Sequence, residues 1–176
     1  MPGSEIIGGP GSVLIDSGAK AAATTYASPS WATNAYDVVE LWARLGSFNG
    51  GAVWQAYWQF QGPANNTYCS SHDWGSTASG VSFAAQGNPG GGRAELLEDQ
   101  LNSAVERVIH GVFFPRMRFG KVTTYALATG AGNALQWTEA RGASTDMATA
   151  VTGITLDFNG NSLSITDLTI VGARYR

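Results

Sequence analysis

Charged side chains, cysteine and histidine are scarce in this sequence. Asp, Glu, Lys and Arg make up 13% of its 176 residues, about half the usual share in a globular domain. Cys69 is the only cysteine, so no disulfide can form within the chain, and only two histidines are available as bases or metal ligands. These shortages exclude a disulfide-stapled fold and argue against nucleophilic or metal-dependent catalysis.

Long apolar runs and clusters of positive charge are also missing. No stretch approaches the roughly 18 apolar residues that a membrane span needs, so we expect no membrane partner. The net charge is −3 and the basic residues are scattered, so we expect no nucleic-acid partner. Residues 1–11 lack the basic and apolar regions of a signal peptide, and we expect a soluble protein synthesised in the cytoplasm.

Glycine, in contrast, is abundant. The 23 glycines and 6 prolines punctuate a chain that is 44% hydrophobic, which excludes disorder and is typical of a turn-rich all-β protein. Glycine, proline and serine are concentrated in residues 1–11, around Ile6 and Ile7. We predict a flexible N-terminal attachment arm over residues 1–11, with Ile6 and Ile7 as its apolar contacts, and a single β-sandwich domain over residues 12–176.

Two neighbouring segments alternate between apolar and polar residues as half-buried strands do. In residues 37–45, one face would carry Val39, Leu41, Ala43 and Leu45, and the other Glu40, Trp42 and Arg44. In residues 52–61, Ala52, Trp54, Ala56, Trp58 and Phe60 would form one face. The Asn49-Gly50 pair between the two segments predicts that they form a hairpin.

The rest of the chain is interpreted in the same way. Residues 62–92 are predicted to form a loop with one or two short strands. The apolar spacing in residues 93–108 favours a short helix, with a strand beginning near Val105 as the alternative. Strands are predicted at about 111–118, 121–129, 134–141, 150–158 and 168–175, the last after a bulge at Thr166-Asp167. About eight antiparallel strands predict a jelly-roll β-sandwich.

Two clusters of chemically active side chains are candidates for a catalytic or metal site. Cys69, His72 and Asp73 provide fewer than the four ligands of a closed zinc site. Glu95, Glu98 and Asp99 would lie along one helical turn, where carboxylates usually form a solvated face. We therefore expect no catalytic residue, no metal and no cofactor.

The six tryptophans are the more informative aromatic residues. Trp54 and Trp58 are expected in the core. Trp42 lies on the polar face of its strand with Arg44, and Trp31 and Trp74 fall in predicted loops. An exposed tryptophan beside polar groups can stack on a sugar ring or anchor an interface, whereas a buried loop anchor is the alternative for each. Candidate glycan or interface contacts are therefore Trp31, Trp42, Arg44 and Trp74.

The low charge also bears on assembly. A small monomer usually covers its surface with charge, about 25–35% of surface residues in well-behaved designs. A surface with so few charges must be uncharged and polar, or must be buried between subunits. We therefore expect self-association.

The order of these features resembles the jelly-roll modules of tailed-bacteriophage virion surface proteins. The resemblance is carried by a Tyr-Asp strand at 35–41, a Trp/Gln-rich partner strand, an Asn-Asn-Thr-Tyr loop at 65–68, Phe-Pro-Arg-Met-Arg-Phe-Gly-Lys-Val at 114–122, Val-Thr-Gly-Ile-Thr-Leu at 151–156 and Asp-Leu-Thr-Ile-Val-Gly at 167–172. It implies a non-enzymatic, trimeric structural protein on the virion exterior, as a capsid decoration, head fibre, tail fibre or spike component. Capsid or tail subunits would be its partners.

Two alternatives to this role remain open. One is a carbohydrate-binding, receptor-recognition module that binds a host-surface glycan through exposed tryptophans. The other is a small β-sandwich glycan hydrolase or lyase that uses the carboxylates at 95–99.

Overall fold

The computed structural model describes residues 11–46, 54–63, 68–76, 80–82, 94–99, 107–127 and 135–175. The strands in these ranges are β1 Ser12–Ser17, β2 Lys20–Ala23, β3 Thr25–Ala27, β4 Val38–Leu45, β5 Trp54–Gln61, β6 Tyr68–Ser76, β7 Gly80–Ser82, β8 Ala94–Asp99, β9 Arg107–Phe114, β10 Phe119–Leu127, β11 Leu135–Ser144, β12 Gly153–Asp157 and β13 Leu163–Ala173. One 3-10 turn, Pro115–Met117, joins β9 to β10. None of the described segments is a helix long and apolar enough to cross a membrane.

The strands form two antiparallel sheets. The large sheet has the order β1-β13-β4-β9-β10-β11-β6-β7, with β2 also paired to β13, and the small sheet has the order β3-β12-β5-β8. Their inner faces enclose an aromatic centre in which the Trp58 and Phe113 rings meet edge to face, with centroids 5.1 Å apart. The protein is therefore an all-β antiparallel sandwich of jelly-roll-like form, as predicted.

Alternation along each strand divides core from surface. On β4, the side chains of Val39, Leu41, Ala43 and Leu45 are buried, whereas Trp42 and Arg44 are exposed on the opposite face. On β5, Ala56, Trp58 and Phe60 are buried. The faces predicted for these two segments are confirmed wherever the structure describes them, and β4 begins one residue later than predicted, at Val38.

The predicted hairpin between these segments is wrong. Strand β4 pairs with β13 and β9 in the large sheet, whereas β5 pairs with β12 and β8 in the small sheet. Each strand has one strongly apolar face, and both faces are buried because the two strands lie in opposite layers of the sandwich. The chain between them therefore crosses from one sheet to the other.

The helix predicted over residues 93–108 is also wrong in its described parts. Residues 94–99 form β8, which pairs with β5, and β9 begins at Arg107. Residue 93 and residues 100–106 lie outside the described residues. Pairing with β5 supplies backbone hydrogen bonds, and the fully buried Ala94 packs beneath the large sheet, so tertiary contacts override the helical spacing.

The bulge predicted at Thr166-Asp167 is confirmed. The register between β13 and β4 shifts between Ile165 and Asp167, and the Thr166 hydroxyl donates a hydrogen bond to the Arg44 carbonyl at 3.1 Å. One strand, β13, continues through the bulge instead of ending there. Its apolar face changes phase at that point, so that Ile165 and Leu168 are both buried.

Candidate functional site on the outer face of the large sheet

The outer face of the large sheet carries a line of exposed apolar side chains across neighbouring strands. Trp42 on β4, Val108 on β9 and Tyr125 on β10 are 44%, 40% and 44% exposed. Val108 lies opposite Tyr125 in register and diagonal to Trp42, and the half-buried Trp137 on β11 lies on the far side of Tyr125. We call Trp42, Val108, Tyr125 and Trp137 the outer stripe.

Trp42 is held in place by two neighbours. Its indole stacks on the His110 imidazole, with centroids 3.9 Å apart and 12° between the ring planes. Its Nε1 donates a hydrogen bond to Glu40 Oε1 at 3.2 Å, and the same oxygen lies 2.8 Å from His110 Nε2. Because one carboxylate orients both stacked rings, the exposed indole has a defined orientation.

Strand geometry sets the length of the outer stripe. Neighbouring strands lie about 4.8 Å apart, and residues two positions apart in a strand about 6.8 Å apart, which separates the Cα atoms of Trp42 and Tyr125 by about 12 Å and those of Trp42 and Trp137 by about 16 Å. Directly opposed residues such as Tyr125 and Trp137 are much closer, with Cβ atoms about 5 Å apart. The stripe therefore has two aromatic groups, one at Trp42 and one at the Tyr125–Trp137 pair.

Charged side chains beside the outer stripe are paired with one another. Glu139 on β11 forms ion pairs with Lys121, at 2.6 Å, and with Arg141. Burial alone would raise the pKa of the Glu139 carboxyl, but the hydrogen bonds and charges of Lys121 and Arg141 outweigh that effect and hold its pKa below the ordinary value. The carboxylate is therefore ionised at neutral pH and balanced by its two partners.

Small hydroxyl side chains flank the apolar line. Thr123 lies between His110 and Glu139 in register, and Thr169 on β13 lies opposite Trp42. Both are half-buried and rise little above the sheet. The outer face thus combines flat aromatic groups with polar groups beside them.

The structure confirms the exposure of some of the contact residues predicted from the sequence and not of others. Trp42 is exposed as expected, with Arg44 on the same face. Trp31 is only 8% exposed and meets Tyr36 edge to face at 5.8 Å, so it is a buried loop anchor with no open ring face. Trp74 lies on β6, not in a loop, and its side chain is outside the described residues, as are Ile6 and Ile7 of the predicted arm.

The candidate catalytic carboxylates and the candidate metal ligands also lie on strands. Glu95, Glu98 and Asp99 belong to β8, so they do not share a helical turn. Cys69, His72 and Asp73 belong to β6 and not to a loop. The side chains of these three residues lie outside the described part of the structure, and among the side chains that it does describe, no group of three or more His, Cys, Asp or Glu is placed to hold a metal ion.

Sequence reasoning missed most of the outer stripe. Val108, His110, Tyr125 and Trp137 were not chosen, because their partners are set by cross-strand register and not by nearness in sequence. The usable signal was alternation in β9, where Arg107, Ile109, Gly111 and Phe113 are the buried positions. Because two of these buried positions hold an arginine and a glycine, the sequence of β9 does not show a continuous apolar face.

Comparison with known proteins gives little further information. No protein-family model and no curated protein matches the chain. The chain is similar to a mutant of the GH43 protein BlXynB from Bacillus licheniformis, at 13% identity and a TM-score of 0.39, over 84% of this chain and 32% of the other. It thus spans about a third of that protein. It is also similar to a Lotus tetragonolobus seed lectin isoform, at 8% identity and a TM-score of 0.31, over 96% of both chains. Neither similarity bears on function.

Proposed function

We propose that this protein is a non-catalytic carbohydrate-binding domain and that the outer stripe is its sugar-binding surface. The observation that carries the proposal is the exposed Trp42 indole, fixed by stacking on His110 and by a hydrogen bond to Glu40. The C–H face of a sugar ring packs on such an aromatic surface, while its hydroxyls need polar partners alongside. Thr123, Thr169 and the flanking carboxylates provide those partners.

Glycan-array binding with matched variants tests this function. We expect the wild-type protein to bind at least one glycan and Trp42→Ala to reduce that binding at least about tenfold, equivalent to about 1.4 kcal/mol. Tyr175→Ala removes an exposed aromatic ring beyond the end of β13 and should leave binding unchanged. The proposal is wrong if the folded wild-type protein binds no glycan, or if Trp42→Ala binds as well as wild type.

A second candidate function is the oligomeric virion-exterior subunit that the sequence resemblance implies. The observation that favours it is β1, an edge strand among the described strands of the large sheet. Val13 and Leu14 are 51% and 47% exposed there, and no charge lies between Ser12 and Ile15. Natural edge strands are usually protected by charge or proline, so an uncharged apolar edge fits a subunit contact. Strand β1 lies two strands from the β4 strand of Trp42, and the two roles are compatible.

The assembly role has its own tests. Sedimentation velocity at micromolar concentration should give an oligomer for wild type and a smaller species for Leu14→Lys, whereas Trp42→Ala should sediment like wild type. A stable wild-type monomer would contradict self-association. For the arm, deletion of residues 1–11 should abolish attachment to virions and leave the domain folded, and unchanged attachment would exclude that function of the arm.

A further inference from the structure

The outer stripe has two aromatic groups, and their separation carries information about the ligand. Trp42 and Tyr125 lie two strands apart, about 12 Å between Cα atoms. Val108 lies between them and is similarly exposed, so the apolar surface continues from one group to the other. A single sugar ring covers one group only, whereas a chain of sugars running across the strands covers both.

The shape of the surface favours the same kind of ligand. The stripe lies on the open face of a sheet whose neighbouring polar residues, Thr123 and Thr169, are short and half-buried. A lone sugar on an open face keeps much of its surface in water, in contrast to a sugar enclosed in a pocket. When a second sugar ring of the same ligand packs on the second aromatic group, the affinity rises because this contact forms within an already bound molecule.

The charges around the stripe argue against an acidic ligand. Glu40 and Glu139 contribute two negative charges, and Lys121 and Arg141 two positive ones, so these four sum to zero. Arg44 and Asp167, opposed in register between β4 and β13, add one charge of each sign. His110 is paired with Glu40, at 2.8 Å. Asp73 on β6, opposite Glu139 in register, is a further acidic residue on this face. The face therefore has no excess positive charge with which to attract an acidic ligand.

We infer that the ligand is an uncharged, unbranched oligosaccharide that lies across the strands of the large sheet, with one sugar on Trp42 and another on the Tyr125–Trp137 pair. This inference rests on the proposed function, because it names the ligand class of the same surface. It predicts that affinity depends on chain length and that the two aromatic groups contribute differently to that dependence.

Calorimetric titration with oligosaccharides of increasing length tests the inference. The probes are linear glucose, mannose and galactose oligomers from monosaccharide to hexasaccharide, with oligogalacturonates of the same lengths as the charged series. For at least one uncharged series, the wild-type affinity should rise at least about tenfold from monosaccharide to hexasaccharide. Oligogalacturonates should bind more weakly at every length.

Variants separate the two aromatic groups. Tyr125→Ala should reduce the gain with chain length by more than it reduces the monosaccharide affinity, whereas Tyr125→Phe should keep the gain. Trp42→Ala should weaken binding at all lengths. Thermal unfolding of each variant establishes that it is folded, and Tyr175→Ala serves as the control for loss of an exposed ring.

The outcomes distinguish this inference from the function on which it rests. If the array detects a glycan but the uncharged series shows no gain with length, or the charged series binds more tightly, the inference is wrong and the carbohydrate-binding function stands. If the array detects a glycan and no oligomer of these series binds, the inference is likewise wrong. If neither the array nor the titrations detect binding, both proposals are wrong.

Discussion

The Trp42 indole and the His110 imidazole lie nearly parallel on adjacent strands, with ring centroids 3.9 Å apart. Glu40 receives the indole hydrogen bond and lies within hydrogen-bond distance of His110. This arrangement fixes the indole before any ligand arrives, so less side-chain freedom is lost on binding. Glu40 and His110 thus set the orientation of the Trp42 indole, the ring that we propose contacts the ligand.

Removal of the stacking partner should weaken ligand binding without unfolding the protein. Aromatic pairs contribute about 0.5–1.5 kcal/mol, so His110→Ala should lower glycan affinity about two- to tenfold. His110 is on the surface, and its loss should leave the unfolding midpoint within a few degrees of wild type. Glycan titration and thermal unfolding measure the two effects.

Glu40 provides the control for this effect. Glu40→Gln retains an oxygen that can accept the indole hydrogen bond, whereas Glu40→Ala does not. Affinity should therefore fall less in Glu40→Gln than in Glu40→Ala. Equal affinity in wild type, His110→Ala and Glu40→Ala would show that fixing the indole does not matter.

Asp16 and Tyr26 join the two sheets and should make stability depend on pH. The Tyr26 hydroxyl on β3 donates a hydrogen bond to Asp16 Oδ2 on β1 at 2.7 Å, and Lys20 Nζ lies 2.8 Å from Oδ1. Burial would raise the pKa of the Asp16 carboxyl, but hydrogen bonds from Lys20, Tyr26 and the Ser17 amide hold it below the ordinary value. Burial and the neighbouring Asp16 raise the pKa of the Tyr26 hydroxyl, so it remains a donor.

The direction of this pH effect follows from the lowered pKa of Asp16. Its stabilising contribution is complete above the unfolded-state value of about 3.9 and is lost as pH falls through the lower folded-state pKa. Asp16→Asn should therefore be less stable than wild type at neutral pH, and its stability should fall less than that of wild type between about pH 5 and about pH 2. Urea unfolding across that range measures both, and parallel curves would contradict the assignment.

Arg118 should be required to hold the backbone of residues 145–150 in place at one end of the sandwich. Its buried guanidinium donates hydrogen bonds to the carbonyls of Pro115, at 2.7 Å, Asp146, at 3.3 Å, and Thr149, at 2.7 Å. Lysine keeps the charge but lacks the planar set of donors, so Arg118→Lys should lower the free energy of unfolding by about 2 kcal/mol.

The neighbouring Arg116 provides a matched control for that substitution. Arg116 is exposed and forms a surface ion pair with Asp37 at 3.0 Å. Arg116→Lys should change stability by less than about 0.5 kcal/mol. Denaturant unfolding of both variants measures the difference, and similar losses in the two would contradict the role of the Arg118 guanidinium.

Gly120 should not tolerate alanine, because its inner face lies against the aromatic core. A Cβ atom there would lie 2.6 Å from Phe113 Cδ1 and 2.7 Å from Trp58 Cη2. Overpacking of this kind costs about 1–3 kcal/mol, which corresponds to a fall in Tm of about 2–10 °C. Thr123→Ala, on the outer face of the same strand, should change Tm much less. An unchanged Tm in Gly120→Ala would show that the sheets can separate without cost.

Local patterns in the sequence were sufficient for strand faces but not for strand partners. The alternation around Trp42 and around Trp58 predicts their strands and their buried sides because that pattern depends only on the residues within each segment. The Asn49-Gly50 pair predicts a hairpin from local turn chemistry. The actual pairing depends on the apolar faces of two sheets meeting, which involves residues distant in sequence.

The candidate site could be predicted only in part, because local patterns identify the face of a strand but not its partners. Trp42 is identified by its position on the polar face of its strand. Its contact with His110, and the continuation of the apolar surface to Tyr125, depend on the register of β4, β9 and β10. Register is set by packing of the whole sheet, so a single sequence does not reveal it. For Trp31, the predicted loop position is compatible with either an exposed or a buried ring, and the local sequence does not distinguish the two.

The most direct test of the outer stripe as the binding surface is an NMR titration of the ¹⁵N-labelled protein with the uncharged oligosaccharide that binds most tightly. The Trp42 indole N–H and the backbone amides around Val108, Tyr125 and Trp137 should shift together, with one dissociation constant. The signals of the buried Trp31 indole and of Val13 and Leu14 on β1 should not move. Shifts confined to β1 or to the residues 145–150 would place the ligand elsewhere and contradict the assignment of this surface.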